Sequence, residues 1–134
     1  MTDTKPVLEM RIEVVPVPVS DVDRAIRFYV DKIGFHLDHD RQTSETMRVV
    51  QLTPPGSACS IVIGTGMGDI SEMKPGSVKG IHLVVQDVRE VRDLLISRGV
   101  EVSDVVEYPR DIRFAYFSDP DGNSWALQSF PPDL

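Results

Sequence analysis

Two stretches decide the reading: VPVPVSDVDRAIRFYVDKIGFHL, running from Val15 to Leu37, and IHLVVQDVREVRDLLISRGVEV, running from Ile81 to Val102. Superposing Asp21 on Asp87 matches Val22 with Val88, Phe28 with Leu94 and Tyr29 with Leu95. One residue of slack then sets Gly34 against Gly99. Each copy reads as a strand, an Asp start signal, a helix, a Gly stop signal and a second strand. Asp21 and Asp87 stand where an N-cap belongs. Val22, Ala25, Ile26, Tyr29 and Val30 recur at helical spacing, and Val88, Val91, Leu94 and Leu95 are expected to line one helical face. Gly34 and Gly99 suit the left-handed conformation that closes a helix.

Working outward, strands are expected at 34–39, 46–53 and 58–63 in the first copy, and near 99–107, 112–117 and 123–130 in the second. Thr53-Pro54-Pro55-Gly56 and Asp119-Pro120-Asp121-Gly122-Asn123 read as turns. The stretch from Gly64 to Gly80 holds five of the nine glycines and reads as a linker. The prediction is an α+β fold of two βαβββ modules in one domain, 1–134, with module one at about 10–64, a linker at about 65–78 and module two at about 79–130.

The bulk numbers set the frame. A chain of 134 residues that is 41% hydrophobic fits one domain with a real core. No apolar run approaches the roughly 20 residues of a membrane-spanning helix. MTDTKPVLEM shows no basic stretch followed by an apolar one, so no signal peptide is expected and the expected location is cytoplasmic. The single cysteine, Cys59, forms no intramolecular disulfide, which fits a reducing compartment, and it reads as a structural thiol. A net charge of −7 argues against a nucleic-acid partner.

These features resemble the vicinal oxygen chelate superfamily, which includes glyoxalase I, bleomycin resistance proteins and extradiol dioxygenases. The resemblance is carried by Val19-Ser20-Asp21-Val22-Asp23-Arg24-Ala25-Ile26-Arg27-Phe28-Tyr29, by Lys32-Ile33-Gly34-Phe35, and by Ser118-Asp119-Pro120-Asp121-Gly122-Asn123. It spans roughly residues 10–130 and implies a cupped mixed sheet with the helices outside and a ligand in the cup. It also implies a homodimer, sometimes with modules exchanged between chains. Members that use a metal carry four His, Glu or Gln ligands on the cup-facing strands. Three of those positions follow from the family's spacing: seven residues before each helix-start Asp, and four after the Gly of D-P-D-G-N. Here they are Val14, Gly80 and Ala126, none of which has a side-chain donor atom, and the fourth position offers at best Ser60. No metal or other cofactor is therefore predicted. The alternative is a site rebuilt from Glu13 and His82, one and two residues away.

Period-two alternation then assigns the cup. If Gly80 faces it, so do His82, Val84 and Gln86. If Ala126 faces it, so do Ser124 and Gln128, with Trp125 and Leu127 in the core. Val14, Pro16 and Pro18 would line it from the first strand. The expected ligand-contacting residues are Val14, Pro16, Arg48, His82, Tyr116 and Gln128. His82 is the candidate catalytic residue, because imidazole can take and give a proton near neutral pH. Arg48 is a candidate carboxylate holder, although the facing of Arg48, Arg113 and Tyr116 stays open. His36 and His39 are expected in a solvated loop, and Glu107 to Arg110 in a polar rim. Asp119 and Asp121 read as turn residues bonding their own backbone.

Two functions fit. One is a binding protein that holds an apolar or aromatic small molecule without a metal. The other is a glyoxalase-like enzyme, a lyase, isomerase or dioxygenase, acting through His82 or through a metal at displaced ligands.

Overall fold

The computed structural model describes residues 5–131, so both ends of the expected 1–134 domain, 1–4 and 132–134, lie outside the described residues. Module one runs β1 (Val14–Pro16), α1 (Val22–Arg27), β2 (His36–Gln42), β3 (Arg48–Thr53) and β4 (Ser60–Thr65). Module two runs β5 (Ile81–Val84), α2 (Val88–Ser97), β6 (Val106–Tyr108), β7 (Ile112–Ser118) and β8 (Ser124–Ser129). The strands form two four-stranded mixed sheets, ordered β1-β4-β3-β2 and β5-β8-β7-β6. In each, the first strand pairs parallel to the last and the other pairings are antiparallel. The repeated sequence thus yields a repeated topology.

The start and stop signals act as read. The Asp21 carboxylate accepts the Arg24 amide, and Asp87 accepts the amides of Arg89 and Glu90. Gly34 (φ 98°) and Gly99 (φ 84°) take the left-handed conformation after each helix. The copies differ at one point. After α1 the chain widens into a π-helical turn over Phe28–Ile33, and both Phe28 and Tyr29 are buried. In α2 the residue matched to Phe28 is Leu94, which is exposed, a correction to the four-residue face. Six residues beyond Val88, Leu94 falls to the flank of the stripe that Val88 and Leu95 bury.

Strand boundaries moved where turns compete. The stretch 99–107 holds only β6, because Gly99 to Val105 crosses from α2 without regular pairing. The expected loop around His36 and His39 is instead strand β2, with a bulge between Leu37 and His39. That bulge sets His36 opposite Thr53 and His39 opposite Gln51, so the two histidines share a face rather than pointing apart.

One continuous core lies between the helix-facing sides of both sheets. It joins Val17, Val50, Leu52, Ile61 and Ile63 of the first sheet to Ala115, Phe117, Trp125 and Leu127 of the second. Tyr29 and Phe35 pack on Trp125, with ring centroids 5.7 and 5.5 Å apart. Asp119 does more than bond its own turn. It accepts the Tyr29 hydroxyl at 2.7 Å and the Asn123 side-chain amide at 2.8 Å, while Asn123 also reaches the Pro18 carbonyl at 2.7 Å. Asp121 accepts the Ser20 hydroxyl at 2.6 Å. The D-P-D-G-N turn therefore fastens module two to module one.

Candidate functional site

With one side of each sheet committed to this core, the other side faces outward. Pairing register identifies the residues there. In the second sheet His82, Ala126 and Tyr116 lie abreast, as do Val84, Gln128 and Phe114, and Phe114 is also opposite Val106. Tyr108, opposite Ile112, shares this face. Val84 is 68% exposed, Tyr108 49% and Tyr116 41%, high values for apolar and aromatic side chains.

The rings on this face touch one another. Phe114 stacks on Tyr116 with centroids 6.2 Å apart and planes 8° from parallel. His82 and Tyr108 meet Phe114 edge-on at 5.8 and 5.5 Å. Ala126, between His82 and Tyr116 in register, is itself covered, at 1% exposed. Partial burial, followed by the neighbouring Tyr108 phenol, raises the Tyr116 pKa, so its hydroxyl stays a proton donor. The His82 Nδ1 lies 2.7 Å from the Gly80 carbonyl. A carbonyl only accepts, so a singly protonated ring carries its hydrogen on Nδ1 and presents the Nε2 lone pair.

The first sheet's open side is more polar. Val14, Pro16, Val62 and Ser60 share it with Gln51 and Thr53. Ser60 hydroxyl lies 2.6 Å from the Thr53 hydroxyl and 3.3 Å from the Gln51 amide. Asp38, the bulge residue of β2, accepts from Thr53, Gln51 and His36, and these partners hold its carboxyl below the usual carboxylate range, Thr53 most strongly.

The structure thus brings together His82, Tyr116 and Gln128 on one face and places Val14 and Pro16 on the open side of the other sheet. Arg48 is a correction. It pairs with Thr65 on the helix-facing parity and binds Asp40 at 2.8 Å and Asp23 of α1 at 2.9 Å. Its guanidinium is consumed there, and both hydrogen bonds hold its charge. Arg113 likewise turns to the helix side, 3.1 Å from Glu107. The polar rim from Glu107 to Arg110 is corrected too: Glu107 and Tyr108 belong to β6, and Tyr108 is a ring of the open face. Phe114, at the centre of the aromatic layer, went unread. The alternation Phe114, Tyr116 against Ala115, Phe117 carried the signal, but the facing of β7 was not assignable without a partner strand.

A cleft of about 440 Å³ meets this face at Tyr116; it sits at the end of β7 and is lined by Phe28, Lys32, Glu101, Tyr116, Ser118 and Asp119, among others.

The residues at the family's metal-ligand positions do not fit a metal. Val14, Gly80 and Ala126 have no donor atom, and the Ser60 hydroxyl is buried in bonds to Thr53 and Gln51. Glu13 and His82 do not rebuild the site within the chain: Glu13 precedes β1 on the parity of Val15, opposite to the open face, and His82 is in the other sheet. Among the described residues no group of three or more His, Cys, Asp or Glu is placed to hold an ion. No helix among them is long and apolar enough to cross a membrane.

Comparison with known proteins agrees with this architecture. An antibiotic-binding protein, TnmS3 from Streptomyces sp. CB03234, is 35% identical, with a TM-score of 0.82 over 94% of this chain and 100% of that one. A glyoxalase/bleomycin resistance protein from the same organism is 38% identical, with a TM-score of 0.74 over 87% of this chain and 98% of that one. A glyoxylase-like domain-containing protein of Didymella fabae is 27% identical over 93% of this chain and 98% of its own length. The sequence model of one family matches residues 11–127, and by that match the chain belongs to the Glyoxalase/Bleomycin resistance protein/Dioxygenase superfamily.

Proposed function

We propose that this protein is a metal-free binding protein that holds a planar aromatic or apolar small molecule against the open face of its second sheet. The observation that carries the reading is the ring layer of this face, with His82, Tyr108 and Tyr116 exposed around a half-buried Phe114. Such a surface gains from a flat apolar partner through area burial and ring stacking. Gln128 and the His82 Nε2 supply the few polar contacts that fix orientation. Val14 and Pro16 line the facing wall when the open side of a first sheet closes over it. Since each chain turns both open sides outward, that closure is a homodimer, the first sheet of one copy over the second sheet of the other. The 35% identity to an antibiotic-binding protein supports an antibiotic as the ligand class. The lone Cys59 fits a cytoplasmic setting.

The test is calorimetric titration with a panel of planar aromatic antibiotics. Saturable binding without turnover is expected, weakened at least about tenfold, or about 1.4 kcal/mol, by Phe114→Ala. Binding that is absent across the panel, or indifferent to both Phe114→Ala and Tyr116→Ala, refutes the reading. A second reading rests on the His82 geometry: an imidazole fixed at Nδ1 with a free Nε2 can move a proton on a bound carbonyl compound. Turnover that survives chelator and disappears in folded His82→Ala would select it.

A further inference from the structure

The cleft at the end of β7 continues the open face of the second sheet. Ser118 pairs with Ser124 two residues along from the pair of Tyr116 with Ala126, so both serines keep the open-face parity. Tyr116 belongs both to the ring layer and to the cleft wall. The cleft has an apolar base in Phe28, Val100 and Phe117, all buried. Around it stand exposed polar groups, Lys32 from the π-helical turn and Glu101 from the crossing after α2. Among the described residues neither side-chain charge has a hydrogen-bond or ion-pair partner; only the Lys32 carbonyl is used, by Arg98 at 3.1 Å. The Ser118 hydroxyl is unengaged as well. The Ser124 hydroxyl accepts the Gly80 amide at 2.8 Å and keeps its own hydrogen to donate. Asp119 also reaches the cleft, but its carboxylate is taken by the Tyr29 hydroxyl, the Asn123 side chain and two backbone amides.

We infer that this cleft holds an uncharged sugar ring carried as a substituent by the aromatic molecule on the ring layer. The donor set selects that chemistry. An ammonium only donates, a carboxylate only accepts, and hydroxyls do both, so the partner must donate and accept within a few ångströms. Lys32 and Glu101 carry opposite charges, so a charged substituent would meet one like charge. A purely apolar substituent would strip water from both groups and return no hydrogen bond. A sugar ring carries hydroxyls at its rim and apolar C–H faces, which pack on the Tyr116 ring and the apolar base. The cleft of about 440 Å³ lies toward the small end of the roughly 300–1,000 Å³ of ligand sites, which suits one ring with its hydroxyls. The ligand class narrows to flat aromatic glycosides, an inference that rests on the ring-layer reading given above.

The experiment is calorimetric titration of the full chain with a dihydroxyflavone, its mono-O-glucosides and the matching mono-O-benzyl ethers. It is repeated on Lys32→Met and Glu101→Leu, two exposed positions outside the core and outside the ring layer, with circular dichroism to check the fold. The expected result is a glucoside that binds at least about tenfold tighter than the dihydroxyflavone. Each variant should remove most of that gain and leave the affinity for the dihydroxyflavone unchanged. Glucosides that bind no tighter than the dihydroxyflavone, while binding still depends on Phe114, overturn the sugar cleft and leave the ring layer standing. Benzyl ethers that gain as much as the glucosides overturn it too, because the cleft would then read volume rather than hydroxyls. A gain that survives both variants places the sugar elsewhere and overturns the assignment. If neither the dihydroxyflavone nor its derivatives bind, the ring-layer reading and this one fall together.

Discussion

Removing one oxygen, in Tyr29→Phe, tests how the two modules are fastened. The Tyr29 hydroxyl donates to Asp119 at 2.7 Å and accepts the Trp125 indole N–H at 3.0 Å. All three side chains are buried, and burial, reinforced by the Asp119 charge, raises the hydroxyl's pKa far above its ordinary value, so it remains a donor. Phenylalanine keeps the ring against Phe28, Phe35 and Trp125, at centroid distances of 5.2, 5.4 and 5.7 Å. The change therefore isolates the polar contribution. A hydrogen bond to a charged group contributes about 1.5–3 kcal/mol, and a buried N–H left without a partner costs about 1–3 kcal/mol. Asp119 still holds the Asn123 amide, which limits the loss on that side. The two effects share one site and do not add fully, so a net destabilisation of about 3 kcal/mol is expected, lowering Tm by roughly 10 °C. Trp125 is the chain's single tryptophan and sits in this contact, so its fluorescence reports the urea transition directly. The midpoint should fall with m unchanged. A loss below about 0.5 kcal/mol would refute the claim that this buried triad joins the modules, since such values are ordinary for neutral surface changes.

Three further outcomes follow from local geometry. Gly76 has φ 81°, and a Cβ there would stand 2.1 Å from the Asp121 carbonyl oxygen, so Gly76→Ala should destabilise by more than about 2 kcal/mol in the same urea assay. Arg110, at the tip of the β6–β7 hairpin, has φ 69°, where a side chain costs about 1 kcal/mol; Arg110→Gly should hold or raise Tm despite the added freedom of the unfolded chain, and a clear drop would show that the residue makes compensating contacts. Asp38 and Asp40 are held below the usual carboxylate range, Asp38 chiefly by Thr53 and Asp40 by Arg48. A lowered folded-state pKa stabilises above the unfolded value of about 3.9 and is lost as pH falls through the folded value, so stability should drop below about pH 4, less steeply in Asp40→Asn, as read from denaturant midpoints across pH.

Part of the open face of the second sheet is legible in the sequence. Alternation groups His82 with Val84 and Gln86 on β5 and Ala126 with Gln128 on β8; setting both groups toward one cup took the ligand positions implied by the family resemblance, and the register of His82 with Ala126 places them side by side. Alternation failed on β3. Arg48-Val49-Val50-Gln51-Leu52 mixes polar and apolar residues on both faces, and only the pairing of Arg48 with Thr65 turns that guanidinium toward α1. It failed on β2 as well, where the bulge at Asp38 shifts parity by one residue and no turn signal announces it.

The sequence by itself determined the duplicated module, its caps and its closing glycines, because those depend on contacts within a few residues of the chain. It also determined that Val14, Gly80 and Ala126 offer a metal no donor atoms, which is a property of residue type. Only the tertiary structure decided which side of each sheet meets the core. One shared core fastened by Tyr29, Asp119 and Asn123 occupies the helix sides, so the rings of Tyr108, Phe114 and Tyr116 are left facing outward. Their grouping is long-range, set by strand register across β6, β7 and β8, and local periodicity does not encode register between strands.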